Sequence, residues 1–102
     1  MKKTLVLGAS SNPERYSYRA VQQLKQNGFP LVAVGSKEGE IHGEKILTGT
    51  PFITDVHTIT LYIGKKNQEQ FYPYIFSLHP KRIIFNPGAE NSELKTIASS
   101  KG

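Results

Sequence analysis

The sequence predicts an α/β layer fold with a mostly parallel sheet. Short apolar runs that stop at glycine alternate with segments of helical periodicity, and the order strand, loop, helix, strand is complete by Gly35. With 102 residues, the chain has room for one such domain, spanning 1–102, and not for two.

Thr4–Gly8 ends at a glycine and suits a strand buried on both faces. Ala9-Ser10-Ser11-Asn12-Pro13 follows, with Asn12 placed as an N-cap and Pro13 at the first helical position. From Arg15 to Gln26, Tyr16, Ala20, Val21 and Leu24 recur at three- and four-residue spacing, the pattern of an amphipathic helix. Asn27-Gly28 ends that helix, and Pro30 keeps it from resuming. Leu31–Gly35 is a second buried strand, and the crossover between the two should be right-handed.

Ser36–Thr50 is polar and rich in glycine, so it reads as loop with at most a short edge strand around Lys45–Leu47. Thr58–Ile63 is β-branched and aromatic and stops at Gly64, which predicts a strand. Asn67–Leu78 places Phe71, Tyr72, Ile75, Phe76 and Leu78 on one side of a helix that His79-Pro80 closes. Arg82–Asn86 is another buried strand. Asn91–Ser100 is the last helix, with Asn91 as its cap and Glu93 in the first turn, where the dipole favours a carboxylate.

Thirteen Lys and Arg against eight Asp and Glu give a formal charge of +5, which favours an anionic partner. Lys2-Lys3, Lys65-Lys66 and Lys81-Arg82 are dispersed pairs, and no RNP motif or zinc-finger spacing is present, so a phosphate-bearing small molecule is preferred over nucleic acid. The absence of cysteine excludes disulfides, thiolate zinc sites and cysteine nucleophiles. The apolar run after Lys3 is too short for a signal peptide or a membrane span, which leaves the cytoplasm as the expected compartment and no membrane as a partner.

In a parallel sheet, ligands bind outside the carboxyl ends of the strands. Four loops leave those ends: Gly8–Arg15, Gly35–Gly43, Gly64–Asn67 and Asn86–Asn91. In the first, Gly8, Ser10, Ser11, Asn12, Arg15 and Ser17 precede or open a helix, where backbone N–H groups and the dipole attract an anion. A plain tight turn with a cap is the competing reading. The G-x-G-x-x-G spacing of a dinucleotide fingerprint is absent. After the second strand, where a nicotinamide site carries an acid, the chain has Ser36-Lys37. A lysine there suits a phosphorylated ribose or is simply solvated, and Glu38 supplies the acid if the strand ends one residue later. No nucleophile elbow, carboxylate dyad or histidine metal spacing is visible, so catalytic residues and metal ligands are expected to be none, and binding is favoured over chemistry.

Val6-Leu7-Gly8-Ala9-Ser10, Asn12-Pro13, Arg15-Tyr16-Ser17, Ile41-His42-Gly43, Leu61-Tyr62-Ile63 and the run from Pro80 to Asn91 together resemble the small, stand-alone CoA-binding domain family, similar to the N-terminal domain of the succinyl-CoA synthetase alpha subunit. The resemblance implies a Rossmann-like three-layer fold of strand order 3-2-1-4-5 with coenzyme A or an acyl-CoA at the carboxyl ends of the strands. It further implies a phosphate cradle of Gly8, Ala9, Ser10, Asn12, Arg15, Tyr16 and Ser17. Ser36 and Lys37 would meet the adenosine end, Tyr62, Ile63 and Gly64 would form an adenine or pantetheine wall, and Asn86, Pro87 and Gly88 the far rim. The family usually has Asn-Pro after the second strand, where this chain has Gly35-Ser36-Lys37, and it continues past the final helix into another strand. An NAD(P)- or FAD-binding oxidoreductase fragment and a regulatory subunit with a vestigial pocket are the alternatives. The expected order leaves Arg82–Asn86 at a sheet edge, with Ile83, Ile84 and Phe85 along it, and so predicts a homodimer.

Overall fold

Strand β1 (Lys3–Leu7) lies inside the sheet, and its alternating side chains divide the core into two faces. Val6 joins Ala9, Val21, Ala33, Ile41 and Ile46 on one face. Leu5 and Leu7 join Val34, Ile59, Leu61, Ile75 and Leu94 on the other. The computed structural model describes residues 2–101.

Helix α1 (Tyr16–Gln26) connects β1 to the parallel strand β2 (Leu31–Val34) and covers the Val6 face, burying Ser17 and Val21. Strand β5 (Val56–Leu61) flanks β1 on its other side and is followed by helix α2 (Lys65–Gln68), a 3₁₀ turn (Glu69–Phe71) and helix α3 (Tyr72–Ser77). Strand β6 (Arg82–Phe85) then pairs parallel with β5, and helix α4 (Ser92–Lys101) closes the described chain. Residues of α3 and α4, Ile75 and Leu94, pack on the Leu5–Leu7 face. The result is a three-layer, Rossmann-like α/β fold.

Two further strands, β3 (Gly39–Ile41) and β4 (Glu44–Leu47), complete a sheet of order β3-β4-β2-β1-β5-β6. The five strands expected from sequence keep their order 3-2-1-4-5, with Glu44–Leu47 as the third; β3 is an addition at the edge. The segment expected to be mostly loop is a hairpin. His42 (φ 48°) and Gly43 (φ 86°) form the two-residue turn between the paired Ile41 and Glu44, and two successive positive φ values give the twist that a tight hairpin requires.

Other expectations need local correction. Asn12 and Pro13 do not start α1; Arg15 occupies the N-cap position without a side-chain cap bond, while Asn12 Oδ1 accepts from Glu14 N at 3.0 Å in a turn of its own. The helix expected over Asn67–Leu78 begins at Lys65 and passes through the 3₁₀ turn before α3. Strand β5 ends at Leu61, so Tyr62 and Ile63 belong to the loop beyond it. Asn91 caps α4, its Oδ1 accepting from Leu94 N at 3.1 Å. Among the described residues no helix is long and apolar enough to cross a membrane.

Candidate functional site

The loops after β1, β2, β5 and β6 leave the same edge of the sheet because those strands are parallel. Contacts between the loops turn that edge into one surface. Gly8 (φ 99°) is closed in by its neighbour: a Cβ built there would lie 2.8 Å from Ile63 Cγ2 and 3.0 Å from the Tyr62 carbonyl carbon. Its glycine therefore serves the approach of one loop to another as well as the backbone turn. Gly35 is still more confined, since a Cβ would collide with the Ala9 carbonyl oxygen. Gly39 faces Ser11, whose Cβ would be 3.2 Å from a side chain at that position.

The N–H groups of the first loop divide into spent and available. Gly8 N and Ala9 N both donate to Val34 O, at 2.8 and 2.9 Å. Asn12 N donates to Ser10 Oγ at 3.1 Å and Arg15 N to Asn12 O at 3.0 Å. Tyr16 and Ser17 open α1, and their N–H groups have no acceptor within the helix. Ser10 Oγ keeps its hydrogen for a further acceptor. Arg15 and Tyr16 are exposed, while the Ser17 side chain and Ala9 are buried. Within the expected cradle, the opening N–H groups of α1, the Ser10 hydroxyl and the Arg15 guanidinium are thus the donors left unspent. Gly8 and Ala9 hold the loop in place.

Across the sheet, Asn86-Pro87-Gly88-Ala89 is a turn closed by Ala89 N donating to Asn86 O at 2.8 Å. Pro87 second and Gly88 (φ 90°) third is the type II arrangement. Asn86 Nδ2 donates to Thr60 Oγ1 at 2.7 Å and to Leu61 O at 2.8 Å. A carbonyl oxygen can only accept, so these bonds fix the amide orientation and leave Asn86 Oδ1 as the unspent acceptor.

Sequence reasoning missed the device that joins this turn to the Tyr62–Gly64 loop. Gln68 is fully buried; its Nε2 donates to Ile63 O at 2.9 Å and to Ala89 O at 2.7 Å. Asn91 Nδ2 donates in turn to Gln68 Oε1 at 2.9 Å and to the Tyr72 hydroxyl at 2.8 Å. Each buried amide is satisfied, as burial demands.

A cleft of about 290 Å³ opens between α1 and the β5–β6 loops, lined in part by Tyr16, Tyr62, Asn86 and Pro87. Arg19, Ala20 and Gln23, which the sequence did not mark as site residues, line its α1 side. The stripe 16, 19, 20, 23 is a helical face, and that spacing was their available signal. Ser36 and Lys37 are exposed on the loop after β2 and do not line this cleft.

A mostly parallel three-layer sheet with a cleft beside the carboxyl ends of β5 and β6 puts the chain in the Rossmann-like class. Residues 2–102 match the CoA binding domain family, and the chain belongs to it. A solved structure of an uncharacterized protein is 51% identical, with a TM-score of 0.96 over 100% of this chain and 84% of its own. A conserved hypothetical protein from Pyrococcus furiosus is 27% identical, with a TM-score of 0.83 over 98% of this chain and 87% of its own. A hypothetical protein from Pyrococcus horikoshii OT3 shares the fold at 22% identity, with a TM-score of 0.87 over 99% of this chain and 72% of its own. None of the curated proteins matches the sequence.

Proposed function

We propose that this protein binds coenzyme A or an acyl-CoA across the carboxyl ends of β2, β1, β5 and β6, as a non-catalytic cytoplasmic module. The observation that carries the reading is the convergence, at one sheet edge, of the α1 opening with Ser10 and Arg15 on one side and the cleft of Tyr16, Tyr62, Asn86 and Pro87 on the other. The donor chemistry fits the ligand. Helix N–H groups, a hydroxyl and a guanidinium suit a diphosphate, and Lys37 suits a 3′-phosphate. Asn86 Oδ1 suits an amide N–H of the pantetheine arm.

Calorimetric titration with CoA, dephospho-CoA and NAD tests the reading. Saturable CoA binding is expected, weaker for dephospho-CoA and weaker still for NAD. No CoA binding at millimolar ligand, or a preference for NAD, would overturn it.

Self-association through β6 belongs to the same proposal. Strand β6 is a sheet edge carrying half-buried Ile83, Ile84 and Phe85, and such an edge pairs readily with a second copy. Equilibrium sedimentation should show twice the 11.4 kDa monomer, reverting to monomer in Ile84→Lys. A monomer at tens of micromolar, or a dimer that survives Ile84→Lys, would exclude this interface.

A further inference from the structure

The cleft is lined by Tyr62, Asn86 and Pro87 on one side and by α1 from Tyr16 to Gln23 on the other. On the CoA reading, with the phosphates at β1 and the adenosine beyond β2, the strand order brings the opposite end of the ligand to Tyr62 and Asn86 after β5 and β6. From Tyr16 the lining runs down α1 to Gln23, which is seven residues or about 10 Å of helix. At about 290 Å³ the space lies at the small end of ligand pockets. A short acyl group fits within it.

Its polarity is one-sided. Arg19 is the one cation in the lining and no carboxylate joins it there. Lys25–Glu44 is the one ion pair among the described residues, so the Arg19 guanidinium has no carboxylate partner. Ala20 adds little bulk to the lining, and Gln23 follows Arg19 one turn on. Tyr62, Asn86 and Pro87 on the facing side carry no charge, so Arg19 is the one charged group in the lining that attracts an anion.

We propose that this cleft is an acyl pocket in which Arg19, with Gln23 beside it, selects short acyl-CoA thioesters ending in a carboxylate. The inference rests on the CoA reading and adds the class of acyl group. A guanidinium–carboxylate contact is charge-assisted and bidentate, and only a charged acyl terminus can make it.

Glutaryl-CoA and valeryl-CoA form a matched pair, since both carry five acyl carbons and differ in the terminal carboxylate. Calorimetric titration should give about tenfold tighter binding of glutaryl-CoA, the size of one such contact. That ratio should fall to about one in Arg19→Gln and be retained in part in Arg19→Lys. Lys81→Gln, which removes the same charge at the opposite end of the strands, should leave the ratio intact and so separates a local contact from the general attraction of a basic protein. Equal affinities in the unaltered protein, or a preference that persists in Arg19→Gln, would overturn the inference while leaving the CoA reading standing. Failure of CoA itself to bind would overturn both.

Discussion

On the β1–β2 side the rim of the site is shaped by side chains that are missing, because Gly8 and Gly35 let backbone and loop pass where a Cβ would intrude, and Gly39 sits close against Ser11. On the β5–β6 side the rim is held by side chains that are present, the buried amides of Gln68 and Asn91 bridging two loops. Both solutions place loops at the strand ends, yet they respond differently to change. A rim shaped by exclusion fails through added atoms and a bridged rim fails through removed ones, so the comparison can be tested from either side.

The largest effect is expected at Gly35. Gly35→Val drives a branched side chain into the Ala9 carbonyl, which backbone cannot evade, and should cost about 3 kcal/mol or more of unfolding free energy in urea titration. A near-neutral value would show that the first loop moves freely and that the rim is not shaped there. Next comes Gln68→Leu, which fills the volume but leaves Ile63 O and Ala89 O without their donor. About 2–3 kcal/mol is expected, with faster amide exchange in both loops. Equal exchange in variant and parent would mean that the bridge does not hold them.

A smaller effect belongs to Tyr74, on the Leu5–Leu7 face, whose hydroxyl donates to Pro51 O at 2.7 Å. Tyr74→Phe should cost about 1 kcal/mol. Burial raises the Tyr74 phenol above its ordinary value. The folded state therefore keeps the proton better than the unfolded chain does. That contribution is complete below about pH 10 and is lost as pH rises from there through the higher folded value. Tyr74→Phe should accordingly lose less stability than the parent above about pH 10, and parallel pH profiles would contradict this. The smallest effect is at Lys25–Glu44, a 3.9 Å pair with both side chains about a third exposed or more. Charge removal there should change stability by about 0.5 kcal/mol or less and leave the hairpin in place.

These two rims were not equally legible in the sequence. Strands β1, β2 and β5 announce themselves because each apolar run is followed closely by a glycine, and Asn91 is visible as a cap because a short amide before a helical stripe has few other uses. The β3–β4 hairpin was hidden by its own turn. His42-Gly43 does what Asn-Gly usually does, and glycines at 39 and 43 suggest loop when read without the pairing of Ile41 with Glu44. Gln68 follows Lys65, Lys66 and Asn67 and reads as solvated. Its burial arises only when the helix breaks at the 3₁₀ turn and tucks it beneath Ala89. Arg19 and Gln23 were passed over because exposed polar residues on an amphipathic helix ordinarily face water, and only the placement of Tyr62 and Asn86 opposite them makes a cleft.

The central claim, that one ligand spans both rims at the carboxyl edge, is tested most directly by titrating CoA into ¹⁵N-labelled protein and mapping the amide shifts. The account predicts saturable shifts at Ser10, Ser11, Tyr16 and Ser17 together with Tyr62, Ile63, Gly64 and Gly88. It predicts little change at Phe29 and Phe52, exposed residues that precede β2 and β5 at the opposite end of the strands. Shifts confined to that opposite end, or to one rim alone, would contradict it.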